Sequence, residues 1–408
     1  MVLAASLCAA GRASLAAEPT PPSDTVPGAW RLGPLQLVPR LHIGTVGVDT
    51  NVFYTAIDRR TDFTAAGGPG LDAVLPLGGG FRVTGGGDLG YVYFLRTTSQ
   101  RRMTGDGRAR LEWSGVHLLV AADGFYGKTF ARPSLEVDRR VGETAQRAGG
   151  EARVRLGPRL RLGLAASGAR REVDADASFL GSDLRRGLSE DLYREAVDLA
   201  YALTPKTSLI VLADGQQDRF LFEDDRDVDS NRLGGGFELA STTRLSGRAV
   251  AGVRRFRFAR ASAGARPESA TFAAVDMAYR LGPRTVLGAS YRRDRENALL
   301  RPESGLPLLD EEAVGVRVEK RLFGPLDLRL RASLTRLRGQ GPVRIEGSSG
   351  PTVGVRADRV REASGDLGYT FFSHLRLGLA ASWLERRSPF ADLGIRGLIL
   401  GGTLGYEP

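Results

Sequence analysis

Between Arg159 and Ser167 the chain reads RLRLGLAAS, so that Leu160, Leu162, Leu164 and Ala166 alternate with Arg159, Arg161 and Ser167. This spacing constrains the fold more than any other feature, because in an extended strand successive side chains point to opposite faces. Leu326, Leu328, Leu330, Ala332 and Leu334 alternate in the same way with Asp327, Arg329, Arg331, Ser333 and Thr335. Val314, Val316 and Val318 do so with Gly315, Arg317 and Glu319. Wound as helices, these segments would scatter Leu and Arg around the whole circumference. The chain is therefore all-β.

Alternation alone leaves two architectures. In a soluble sandwich the apolar row points inward, and in a membrane barrel it meets lipid while the polar row encloses water. The spacing of turns favours the barrel. Leu156-Gly157-Pro158, Leu203-Thr204-Pro205, Leu281-Gly282-Pro283 and Phe323-Gly324-Pro325 form a recurring set, and a further turn is expected at Thr242-Thr243. Other breaks fall at Leu77-Gly78-Gly79, Ser114-Gly115 and Phe372-Ser373. Turns about 40 residues apart leave room for two strands and one longer loop, the asymmetry of outer-membrane barrels. The count is about eighteen strands, with sixteen as the alternative.

Aromatics on the apolar parity mark the strand ends. Trp113, Tyr201 and Tyr279 precede short turns, and Tyr126 and Trp383 lie at the opposite ends. Two such rings match the girdles at the two membrane interfaces. No run approaches the roughly 18 apolar residues of a spanning helix, and the 53 glycines and 20 prolines are dispersed between short apolar runs, as many tight turns require. The formal charge of +10 comes almost wholly from Arg, with Lys only at Lys128, Lys206 and Lys320. These charges are spread along the chain among 47 acids, whereas a nucleic-acid surface gathers them on one face.

Residues 1–17, rich in Ala and Leu and ending Ser14-Leu15-Ala16, read as a signal peptide, with a start upstream of Met1 left open. Cys8, the sole cysteine, lies within this segment, so the mature chain has no thiol or disulfide chemistry. Residues 18–39 read as a periplasmic leader too short for a plug, and 40–408 as the barrel. The long loops, Glu172 to Glu190, Phe222 to Ser230, Leu299 to Asp310 and Gly339 to Arg356, are read as polar and extracellular. The last strand, Gly394 to Tyr406, ends in an aromatic, which resembles the mark read by barrel-assembly machinery; Glu407 and Pro408 follow it.

Near the start, GVDTNVFY from Gly47 to Tyr54 is followed by Asp62-Phe63 and Pro69-Gly70-Leu71. Over about 30 residues this resembles the outer-membrane β-barrel porin family associated with exopolysaccharide export. In that family a strand ends in aromatic-Asp-x-Asn-Val/Ile-Phe, and the next carries an Asp and then Pro-Gly-Leu. Asp49, Asn51, Phe53, Asp62, Pro69 and Gly70 match, while Val48 replaces the usual Tyr. The resemblance implies a barrel acting in secretion of a surface polysaccharide beside a periplasmic export protein.

Other motifs weigh less. Gly85-Gly86-Gly87-Asp88-Leu89-Gly90 fits a dinucleotide pattern, but Tyr91 to Phe94 continue a strand where a helix is required. Asp225, Asp227 and Asp229 space their oxygens like the start of a calcium loop, without its turn glycine or closing Glu, so a solvated acidic loop is the simpler reading. His42, His117 and His374 have no metal-ligand spacing, and no GxSxG elbow is present. No cofactor is implied. On the inward parity, Arg153, Arg155, Arg159, Arg161, Arg317, Arg329 and Arg331 face Glu151, Glu319 and Asp327. They either favour anionic solutes or pair with the acids to stiffen the wall.

The sequence thus leads to an antiparallel transmembrane β-barrel in the outer membrane of a Gram-negative bacterium. Its expected partners are outer-membrane lipid, barrel-assembly machinery, a periplasmic polysaccharide-export protein, and a polysaccharide or small solute in the lumen, with no nucleic acid. Polysaccharide export is the first expectation for function, a general diffusion porin the second, and a barrel-embedded enzyme the third.

Overall fold

The computed structural model describes residues 28–406 apart from 242–243, 259–267, 301–306, 348–349 and 373. Eighteen strands form one closed sheet. In order they are β1 (Leu35–Asp49), β2 (Asp62–Gly78), β3 (Phe81–Phe94), β4 (Arg102–Ser114), β5 (Leu118–Ala131) and β6 (Val141–Arg155). Then follow β7 (Leu160–Val173), β8 (Glu190–Thr204), β9 (Thr207–Phe220), β10 (Val228–Leu239), β11 (Leu245–Phe258) and β12 (Glu268–Leu281). The last six are β13 (Thr285–Asn297), β14 (Leu308–Arg321), β15 (Leu326–Gly347), β16 (Gly350–Phe371), β17 (Leu375–Arg387) and β18 (Ile395–Tyr406). Each pairs antiparallel with its sequence neighbours, and β18 closes on β1 with Leu41 opposite Tyr406 and Asp49 opposite Ile399. Closure leaves the sheet with no free edge.

The alternation sets the two faces. Val314 and Val316 are 48% and 54% exposed on the outer wall. On the opposite parity, Arg317 pairs with Asp276 on the inner wall across β12 to β14. Leu199, Leu209, Val211, Leu233, Leu377 and Leu400 continue the outer belt. A belt of this extent is far larger than the apolar patches a water-soluble monomer carries, and it is what lipid demands. The molecule is a transmembrane antiparallel β-barrel.

Short turns join the strands at one end. Several need backbone that L-residues avoid: Gly282 and Gly324 have φ of 70° and 54°. The expected turn at Thr242-Thr243 and the Ser373 position lie outside the described residues; the strands on either side, β10 with β11 and β16 with β17, pair antiparallel. The signal segment 1–17 also lies outside them. The leader boundary moves: β1 begins at Leu35, and Trp30–Leu32 folds back on Leu35 to Leu37. Alternation before residue 40 was masked by Pro39, which β1 accommodates.

At the loop end one expectation is corrected. Gly339 to Arg356 is mostly strand, because β15 and β16 each run 22 residues. A register shift between Arg338 and Pro342 lets the proline, which has no N–H to donate, pass through the ladder. The loops are also less polar inside than expected. Val137, Val141, Val173, Ala177, Leu184, Leu188 and Leu299 form one buried cluster, and Leu300, Val343, Ile345, Phe390 and Leu393 another. These apolar residues come from loops and from the loop ends of β6, β7 and β15, and they meet at the barrel mouth.

Candidate functional site: a latched loop over a charged lumen

The loop from β5 to β6 (Arg132 to Arg140) folds inward, leaving Glu136, Val137 and Asp138 buried. Val137 anchors it in the apolar cluster, and the acids on either side of Val137 take partners on other parts of the mouth. Glu136 accepts hydrogen bonds from Arg356 Nη1 on β16 and from the Leu299 backbone N–H, each at 2.7 Å. Asp138 pairs with Arg132 at 3.0 Å and with Arg386 on β17. On the wall, Asp358 bridges Arg356 at 2.7 Å and Arg386 at 3.5 Å. At the loop's end Arg140 donates to Asp49 Oδ2 at 2.8 Å, to the Val52 carbonyl at 3.0 Å and to the Tyr54 hydroxyl at 3.3 Å.

The neighbouring loops close around it. A short helix, α1 (Leu184–Leu188), is capped by Asp183, whose side chain accepts from the Arg186 backbone N–H. From the β9–β10 loop, buried Arg226 donates to the carbonyls of Gly187 at 2.6 Å and Ala298 at 2.9 Å, and its guanidinium lies over the Phe220 ring. Burial lowers the pKa of Arg226 against the pull of Glu223 and Glu190.

Burial pushes the Asp138 carboxyl above the ordinary aspartate range, against the pull of Arg386, Arg132 and Arg356. Within the same network Asp358 Oδ1 and Arg386 Nη2 are buried without a hydrogen-bond partner among the described residues. Charges taken out of water on these terms are held together with little net gain. A contact of this kind can dock a loop and release it.

Below the latch the lumen is wet and ionic. Arg329 points inward with a side chain 54% exposed, 3.8 Å from Asp327. Arg153 pairs with Glu151 at 3.0 Å, Arg161 with Glu238 at 3.4 Å, and Arg317 with Asp276 at 3.2 Å. Arg331 shares the inward parity and is exposed, while Arg155 stands at the turn end of β6. Arg159 lies in the turn before β7, at the rim and off the inner wall, because the strand begins only at Leu160.

The residues of the sequence motif divide between structure and wall. Asp49 binds Arg140 and caps the Asn51 backbone N–H at 2.9 Å, so it tethers the inward loop to β1. Asn51, 1% exposed, donates to the carbonyls of Thr55 and Arg396 and accepts from the Thr55 N–H. Asp62 accepts from the backbone N–H groups of Phe63, Arg96 and Thr97 and fixes the β3–β4 loop. Phe53 lies under Arg60 and lines a groove with Arg96 and Thr97. Pro69 is exposed on the outer face. Gly70 faces in, where an added Cβ would meet Asp88 Oδ1, and Gly86 likewise faces Asp72 Oδ1. These two glycines leave room for a cluster in which Arg40 pairs with Asp72 at 3.0 Å and Asp88 at 3.1 Å, and Arg108 with Asp72 at 2.8 Å. The glycine run is barrel wall.

Trp113, Tyr201 and Tyr279 stand outward at the turn end, with Trp113 Nε1 donating to the Gly79 carbonyl at 3.2 Å. Tyr126 and Trp383 stand outward toward the loop end. The calcium-like spacing brings no site together. Asp227 accepts from the Phe220 backbone N–H, Asp229 pairs with Arg219, and Asp225 is exposed on the short helical turn. Among the described residues no group of three His, Cys, Asp or Glu side chains is placed to hold a metal.

Sequence reasoning missed the latch residues Glu136, Asp138, Arg356, Asp358 and Arg386. The one available sign was that the inward parity of Arg356, Asp358 and Val360 carries on beyond the length a bilayer needs.

No family profile matches the chain, and no curated protein is similar to it. Among solved structures it is similar to the siderophore receptor PirA from Pseudomonas aeruginosa, at 9% identity, 91% of this chain and 80% of that one covered, and TM-score 0.48. It is similar also to OccAB4 from Acinetobacter baumannii, at 11% identity, 92% and 97% covered, and TM-score 0.46. OpdK from Pseudomonas aeruginosa, solved with vanillate, shares 13% identity over 92% and 98% of the two chains, with TM-score 0.45. Likeness this distant says nothing of what the chain carries.

Proposed function

We propose that the protein is an outer-membrane channel of a Gram-negative envelope that passes small polar solutes, gated on the loop side by the β5–β6 loop. The observation that carries this reading is the docking of Glu136 and Asp138 onto Arg356 and Arg386 over a lumen of exposed, charged side chains. A polar solute crossing the lumen exchanges water for arginines and carboxylates, at little cost where both signs are offered. Because most lumen arginines are paired, selection among ions is weak. The docked loop is then the main barrier to flow.

Planar bilayers test this reading. Wild-type protein should open rarely, and a variant with residues 133–139 replaced by a short Gly-Ser turn should conduct steadily. A loop-deleted barrel that inserts and carries no current overturns the proposal.

A second reading, export of a surface polysaccharide, draws its support from the motif residues Asp49, Asn51 and Asp62, which hold the β5–β6, β1–β2 and β3–β4 loops at their bases. In that reading the loop leaves the mouth when a polymer arrives, and a periplasmic export protein docks at the turn end. Deleting the gene and finding surface polysaccharide unchanged would end it while leaving the channel reading intact.

A further inference from the structure

Five arginines gather on the outer face of β15 to β18 above the apolar belt. Arg336, Arg359 and Arg387 stand directly opposite one another across β15, β16 and β17, and Arg361 and Arg396 flank Glu385 one rung lower. They share the outward parity of Leu330, Val355, Leu379 and Leu400. The side chains of Arg336, Arg361 and Arg387 are 58%, 43% and 66% exposed. Among the described residues, two glutamates oppose the five. Glu312 lies 3.7 Å from Arg336, and Glu385 lies 3.4 Å from Arg361 and 3.1 Å from Arg387. Arg359 has no ion pair among them.

Like charges directly opposite each other weaken a sheet; the inner wall holds such pairs, as at Arg317 and Arg331, but on the outer wall no other pair of this kind occurs among the described residues. Arg170 faces Asp191 through two hydrogen bonds of 2.7 Å, and Arg219 pairs with Asp229. The row at β15 to β17 therefore costs stability unless something anionic lies over it. Its height names the occupant. From Leu326 to Arg336, about ten residues at about 3.3 Å each and a tilt near 45° raise the chain by roughly 24 Å, the height of the apolar band. Trp383, a residue suited to the interface, lies outward just beneath.

We propose that this patch binds the phosphate groups of a phosphorylated lipid of the outer leaflet. Guanidinium groups meet phosphate oxygens through paired hydrogen bonds, and three in a row span more than one phosphate. The inference rests on the outer-membrane reading above.

The test uses the full chain inserted in zwitterionic vesicles and titrated with a phosphorylated glycolipid, the same lipid stripped of phosphate, and inorganic phosphate. Wild type and the control Arg255→Gln, on the outer face of β11, should bind the phosphorylated lipid equally. Binding by Arg336→Gln/Arg359→Gln/Arg387→Gln should be roughly a hundredfold weaker, at about fivefold per arginine near a charged surface. Arg359→Gln alone should fall between, and it decides the matter by itself if the triple variant does not fold. Equal binding by wild type and variants, equal binding of both lipids, or displacement by inorganic phosphate at matching concentration overturns the proposal. Wild-type protein that fails to insert overturns the membrane reading as well, whereas inserted protein blind to phosphate overturns the patch alone.

Discussion

Glu136→Ala should open the channel without unfolding the barrel. The carboxylate joins the loop to Arg356 and to the Leu299 N–H, both at 2.7 Å and both buried. Breaking a buried ion pair costs about 3–5 kcal/mol. Arg356 keeps Asp358 at 2.7 Å, so the lower end applies, about 3 kcal/mol against the docked loop. At about 1.4 kcal/mol per factor of ten, the ratio of docked to released loop falls roughly a hundredfold. A pore open for about one part in a thousand of the time would then be open for about a tenth of it. Single-channel recording reads this open fraction directly. Raising the salt should change the wild-type value little, because the pair is buried and poorly screened. Arg170→Ala, which breaks an exposed pair on the outer wall, serves as the control. An open fraction in Glu136→Ala equal to wild type, with the barrel intact, would refute the latch.

Three further outcomes are expected. Leu184→Ala removes a fully buried side chain from the loop cluster at a cost of about 3 kcal/mol. Protease should then cut the β7–β8 loop about a hundredfold faster while heat-modifiable migration of the barrel is unchanged, and equal cutting rates would contradict the buried cluster. Arg329→Glu with Arg331→Glu reverses two inward charges and should move the ion permeability ratio toward cations by about tenfold; an unmoved reversal potential would place these side chains outside the conducting path. Because burial raises Asp138 from its ordinary 3.8, the docked loop binds that proton more tightly than the released loop. Docking is favoured below the ordinary value and loses that advantage as pH rises through the raised one. The open fraction should therefore fall on acidification, and a rise would contradict the burial of Asp138 among Arg132, Arg386 and Arg356.

The barrel wall was legible because one local rule repeats along it. Leu326, Leu328 and Leu330 against Asp327 and Arg329 settle both strand and face, and Gly282 and Gly324 mark where the chain reverses. What closes the mouth was not legible, because it depends on contacts far apart in sequence. Arg356 and Arg386 reach loop acids 220 and 248 residues away. The buried loop residues Ala177, Leu184, Leu188 and Leu299 follow no period, since they come from irregular backbone or from a helix of five residues, too short to show one, and their shared cluster exists only after the barrel closes. The extension of β15 and β16 was hidden by the glycines and Pro342, residues that usually end a strand. The motif carrying Asp49 and Asn51 could be seen in the sequence, but its work of tethering Arg140 could not.

The most direct measurement is thiol accessibility at two adjacent positions on β14. Cys8 is the chain's single cysteine, so Val316→Cys and Arg317→Cys can each be read on a Cys8→Ser background in lipid vesicles. A small water-soluble maleimide should label Arg317→Cys readily and leave Val316→Cys untouched until detergent strips the lipid away. Labelling at Val316→Cys with protection at Arg317→Cys would turn the barrel inside out, and the channel, the latch and the lipid patch would all fall with it.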